Sequence, residues 1–250
     1  MNIFDKKSPN NQQSGFTLVE LMIALVVGLI LTSGILQVFL SNKQAYRTNE
    51  ALSRIQEDSR LLSDILGRNL RMAGYRAEPE KKRKSIFPDA SVYMGGSTSG
   101  QVVAGTSNSI SIVYQADDNI QACTTSAITA GSLVKTVLKL DTATGVLKCK
   151  SAVCAPCSSS DPALDSVTGV DLAEGITSLT FTYGIDTDND GAANRYSTTP
   201  LSTDSVTSVR ARYTLQSAEK NTGVYDVGTS TGKKLNKTFT TTIALRNIVP

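Results

Sequence analysis

Few side chains in this chain are fit for chemistry, and their spacing limits what they could do. Asp186-Thr187-Asp188-Asn189-Asp190-Gly191 has the D-x-D-x-D-G opening of a calcium loop. Alternate carboxylates at Asp186, Asp188 and Asp190 can converge on one hard cation, and the glycine permits a sharp turn. The twelfth position, where a bidentate glutamate belongs, is Ser197, and no helical pattern flanks the run, so it is not a complete EF-hand. Two readings stay open: a shorter calcium-binding hairpin loop, or an Asp/Asn/Gly turn chosen for its backbone preferences. Calcium is the one candidate cofactor.

The four cysteines, Cys123, Cys149, Cys154 and Cys157, are even in number and all follow the long apolar run near the start of the chain. Two disulfides in an oxidising compartment fit that pattern, and three pairings are open. Cys154-Ala155-Pro156-Cys157 lacks the βαβ context of a redox motif, and Cys123 and Cys149 lack the close spacing of a second zinc half-site. Histidine is absent, which removes the commonest general base and metal ligand. No G-x-S-x-G nucleophile motif occurs either. No catalytic residue is expected, and the chain reads as a non-enzyme.

The remaining unusual residue is Glu20. From Phe16 to Leu40 there are 25 residues, and Glu20 alone is charged. A helix of ~20 apolar residues spans a bilayer. The run is too long for the core of a secretory signal, and no A-x-A-like cleavage site follows it. A carboxylate in such a segment is costly and normally has a partner. Cleavage after Gly15 would supply one, because the new α-amino group on Phe16 lies one helical turn before Glu20. The plainer alternative is a charge tolerated near the membrane interface.

Gly15-Phe16-Thr17-Leu18-Val19-Glu20 follows a short leader carrying Lys6 and Lys7 and precedes a spanning segment. This resembles the class III signal of type IV pilins and type II secretion pseudopilins. The resemblance implies that a prepilin peptidase cleaves after Gly15 and methylates the amino group of Phe16, and that Glu20 helps dock the subunit onto a filament. Glu50-Ala51-Leu52-Ser53-Arg54-Ile55-Gln56-Glu57-Asp58, Leu70-Arg71-Met72-Ala73-Gly74-Tyr75-Arg76 and the closing Thr240-Thr241-Thr242-Ile243-Ala244-Leu245-Arg246-Asn247 are similar to the PilW family of minor pilins. That resemblance implies a structural subunit acting in type IV pilus assembly or priming, in adhesion or twitching motility. Its partners would be other minor and major pilins, the prepilin peptidase, the inner membrane and, as a candidate, a pilus-tip adhesin. The alternative is a type II secretion minor pseudopilin; an anchored enzyme or binding protein is a third reading. The expected location is the inner membrane as a single span with a periplasmic C-terminal domain, then the pilus surface.

The elements follow from periodicity. Leu52, Ile55, Leu62, Leu66, Leu70 and Ala73 recur at helical spacing without a proline, and charged residues fill the other faces. Gly74 and Pro79 end the helix. One helix of 58 residues, about 87 Å, is expected from Phe16 to Ala73, with Gly28 and Gly34 as points where it can bend. Expected segments are a leader over 1–15, a membrane or filament-core half over 16–40, an amphipathic half over 41–74, a loop over 75–100 and a β-domain over 101–250. Lys81-Lys82-Arg83-Lys84 is a basic run in that loop, but four residues without aromatic neighbours read as solvated, so nucleic acid is not expected.

Period-two runs predict strands at Ser109–Gln115, Leu133–Leu140, Val146–Lys150, Ser178–Ile185, Val209–Leu215 and Thr238–Leu245. Ser158–Asp161, Ser197–Ser208 and Gly228–Gly232 read as connections. The fold class is therefore α+β, pilin-like under the resemblance: one long N-terminal helix packed on a mainly antiparallel sheet.

Overall fold

A computed structural model describes residues 15–82, 86–87, 102–117, 123, 128–154, 169–201, 204–218 and 234–248. The chain divides into two units, Met1–Arg47 and Thr48–Pro250. The leader before Gly15, Arg83 and Lys84 of the basic run, Cys157 and the connections at 158–161 and 228–232 lie outside the described residues.

A helix, α1, runs Leu18–Arg71. In the first unit its apolar side chains are exposed all round: Leu18 is 75%, Ile35 70% and Phe39 62% exposed. In the second unit it is amphipathic. Ala51, Ile55, Ser59, Leu62, Leu66 and Leu70 are buried at spacings of three or four, while Glu50 and Arg54, and Asp64 and Arg68, form i,i+4 ion pairs at the surface. The expected stripe holds except at Leu52, which is only half-buried; its place on the core side is taken by Ala51, one position back. Gly74 stops the helix in the left-handed region (φ 71°), where a side chain would crowd Val102 and the carbonyl of Asn247. The Asn247 amide also donates to the carbonyl of Arg71, satisfying one of the orphan acceptors at the helix end.

Among the described residues nine strands follow: β1 (Val103–Gly105), β2 (Ser109–Gln115), β3 (Leu133–Asp141), β4 (Val146–Cys154), β5 (Val170–Ala173), β6 (Ile176–Asp186), β7 (Arg195–Ser197), β8 (Ser205–Gln216) and β9 (Asn236–Ala244). The stretch 197–208, expected as a connection, thus closes one strand and opens another. All pairings are antiparallel. They make two sheets rather than the single sheet expected: β1-β2-β3-β4-β5 and β7-β6-β8-β9. Between β5 and β6 the chain turns at Gly175 (φ 75°), and β6 then pairs with β7 and β8. The two sheets are joined near β6, where the Phe181 amide donates to the Ser107 carbonyl and the Tyr183 hydroxyl reaches the carbonyls of Thr106 and Ser109.

One core takes side chains from the second half of α1 and from both sheets, including Leu62, Leu66, Ile112, Leu138, Phe181 and Val209. The expected period of two is seen in β6 and β8, where Leu179, Phe181, Tyr183, Val209, Ala211, Tyr213 and Leu215 are all buried. The stretch read as a loop also feeds this core through Ile86 and Phe87, which are buried.

Candidate functional site

Gly15, Phe16 and Thr17 lie outside the helix and lead into it. Thr17 sits at the N-cap: its hydroxyl accepts the Glu20 amide at 3.3 Å, and its carbonyl accepts the Leu21 amide at 3.2 Å. Thr17-Leu18-Val19-Glu20 has capping-box spacing, so Glu20 stands in the first turn, where the helix dipole favours a carboxylate. The sequence reading of Glu20 missed this second role, although its signal, T-x-x-E before an apolar run, was present. Among the described residues the Glu20 carboxylate makes no ion pair. Phe16 is 83% exposed, and the space around the Gly15 α-carbon is open.

Beyond this turn α1 is long and apolar enough to cross a membrane, and no residue of its most apolar stretch is buried. Gly28 and Gly34 stay within regular helix, with open space around both. Next to them the Thr32 hydroxyl donates to the Gly28 carbonyl at 2.7 Å and the Ser33 hydroxyl to the Ile30 carbonyl at 2.8 Å. Such back-bonding satisfies polar groups inside an apolar segment and favours bending.

The acidic loop between β6 and β7 does come together: single carboxylate oxygens of Asp186, Asp188 and Asp190 lie within 4.8 Å of one another. Asp186 is buried and already accepts the amides of Asp188 (3.2 Å), Asn189 (2.7 Å) and Gly191 (2.9 Å). Burial pushes its carboxyl up, but the amides of Gly191 and Asn189 outweigh this and hold it below the usual carboxylate range. Asn189 (φ 62°) and Gly191 (φ 88°) take left-handed conformations, and Asn194 ties the loop shut by accepting the Thr187 amide at 2.8 Å. Three carboxylates are a partial ligand set for a cation that takes six to eight oxygens. The loop closes as an Asx-type turn on its own hydrogen bonds.

The structure selects among the three cysteine pairings by joining Cys123 to Cys149, 26 residues apart. Cys149 is buried in β4, and Cys123 lies against that strand, its amide donating to the Ser151 hydroxyl at 3.0 Å and its carbonyl accepting the Ser151 amide at 3.2 Å. The Cys154 side chain and Cys157 lie outside the described residues.

Two family models match the sequence. Residues 10–36 match the prokaryotic N-terminal methylation motif, and residues 139–247 match type IV pilus-assembly protein W. The second match takes in 109 of the 250 residues. No curated protein matches it. Among solved structures, a type IV-like pilin from Thermus thermophilus is 11% identical at a TM-score of 0.49, over 79% of this chain and 98% of that one. The chain thus joins two pilin signatures, a methylation motif that runs into an exposed apolar helix and a C-terminal region similar to type IV pilus-assembly protein W.

Proposed function

We propose that the protein is a minor pilin: a non-enzymatic subunit that takes part in assembly or priming of a type IV pilus by bundling its apolar helix with those of other pilins. The observation that carries this reading is the exposed apolar half of α1, capped by Thr17 and bearing at Glu20 a carboxylate with no ion pair among the described residues, within a methylation motif that spans residues 10–36. Such a surface needs a covering, and before assembly the inner membrane supplies it. Prepilin peptidase cuts after Gly15 and leaves a methylated amino group on Phe16. That group is the cation Glu20 lacks, on the same subunit or on a neighbour already in the filament. The C-terminal domain lies on the periplasmic side, where its cysteines are oxidised.

Peptide mass spectrometry of pili sheared from the native host tests this. The expected result is a peptide that begins at N-methylated Phe16. Processed protein confined to the membrane fraction would favour a pseudopilin or a priming role without incorporation. A stable protein that keeps residues 1–15 would remove the pilin reading.

A further inference from the structure

The four-stranded sheet is polarised in charge across its width. Its β6–β7 edge carries the acidic loop, with Asp188 and Asp190 exposed. On the opposite side, β8, β9 and their described flanks carry Arg210, Arg212, Lys234, Lys237 and Arg246, in a chain whose net charge is +3. Within residues 205–218 and 234–248 there is no carboxylate side chain at all, and none of these cations is in an ion pair among the described residues.

Arg210 and Arg212 stand on the outward face of β8, about 7 Å apart at strand spacing. The register sets them in a grid of hydroxyls: Thr182 and Thr242 flank Arg210, and Thr180 and Thr240 flank Arg212. Arg210 is held in place over the Tyr196 ring at 4.0 Å, with its Nε 3.5 Å from the Thr242 hydroxyl. Arg246, exposed just past the C-terminal end of β9, extends the cationic surface there, whereas Lys237 pairs with buried Leu215 on the other face, its ammonium 5.6 Å from the Phe239 ring. This nine-residue strand is ~30 Å long and, in the sheet order, pairs with β8 alone.

We propose that this face and its β9 edge are a docking track for a linear acidic polysaccharide of the polyuronate class. Arg212, Arg210 and Arg246 follow the strand direction and do not converge on a point, which suits a polymer better than a small anion. Between them lie hydroxyls at strand spacing, which can exchange hydrogen bonds with sugar hydroxyls and carboxylates. Tyr196, 42% exposed, already carries Arg210 over one face of its ring, and a single aromatic is a poor stacking platform for successive nucleobases. The acidic loop is a compact cluster on the opposite edge, too short to occupy the track of a second copy.

Full-length protein in a neutral detergent, titrated with polygalacturonate, tests this. Binding is expected to weaken with rising salt, and dextran should not bind. Arg210→Thr with Arg212→Thr continues the hydroxyl grid without the charges and should weaken binding about tenfold at an unchanged melting temperature. If that variant melts early, Thr240→Glu, an exposed change that sets a carboxylate beside Arg212, should give the same loss. Unchanged affinity in a well-folded variant would overturn the proposal. So would equal binding of dextran, equal or tighter binding of a short DNA duplex of matched charge, or salt-sensitive self-association in place of glycan binding. None of these outcomes bears on processing at Gly15, so this proposal and the pilin reading fail separately.

Discussion

Asp141 shows how much a single side chain can organise at a turn. It ends β3, its Oδ1 accepts the Ala143 amide at 3.1 Å, and its Oδ2 takes the Lys148 ammonium at 2.8 Å across the hairpin. Gly145 completes the turn at φ 71°. Lys148, then the Thr144 hydroxyl and the Ala143 amide, hold the Asp141 carboxyl at about 2, against an ordinary 3.8. A lowered folded-state value stabilises the fold when the carboxyl is ionised. That contribution is fully present above about pH 4 and is lost as the pH falls through about 2. Asp141→Asn should therefore lower the melting temperature at neutral pH and flatten its dependence on pH between 4 and 2. Melting curves of both proteins across that window would show it; parallel curves would refute it. The turn itself was legible, since Asp141–Gly145 separates two β-rich runs. The ion pair was not, because register decides that Lys148, and not Lys150, faces Asp141.

At the scale of elements, the second half of α1 is held by apolar packing and by one hydroxyl cluster. Leu62, Leu66 and Leu70 are fully buried, whereas Leu61 is 56% exposed. Leu66→Ala should cost about 2–5 kcal/mol of unfolding free energy, and Leu61→Ala within about 0.5 kcal/mol. Denaturant unfolding of the two variants would separate a packed stripe from general helix propensity. Tyr213, on β8, brings its hydroxyl to those of Ser59 at 3.0 Å and Ser63 at 2.7 Å on the helix. Tyr213→Phe keeps the ring and its stacking on Phe239 but leaves the buried Ser59 hydroxyl short of a partner, at a cost of about 1–3 kcal/mol. Ser59 was invisible to a hydrophobic-periodicity reading, because a polar residue on the core face breaks the pattern. Its i+4 spacing from Ile55, with Leu62 three residues on, was the available signal.

For the whole molecule, the disulfide is the strongest covalent constraint among the described residues. Closing a loop between Cys123 and Cys149 is worth about 3 kcal/mol in the chain-entropy account. Cys123→Ala with Cys149→Ala should lower the melting temperature by roughly 6–12 °C, and an unchanged value would show that the segment around Cys123 is held without it. The methylation motif, the apolar span, the helix end at Gly74 and the α+β class all follow from the sequence alone. Each rests on a local signal: a run of residue types, a period, or a turn residue. Pairing decided the rest. Two sheets stand where one was expected, because β6 has a choice of partners that no local pattern expresses. The short strands β1, β5 and β7 exist only through their neighbours' open edges, three or four residues being too few to show a period. The Cys123–Cys149 link, and the gathering of Arg210 and Arg212 among threonines of two other strands, depend on register between residues far apart in the chain, which only the folded backbone sets.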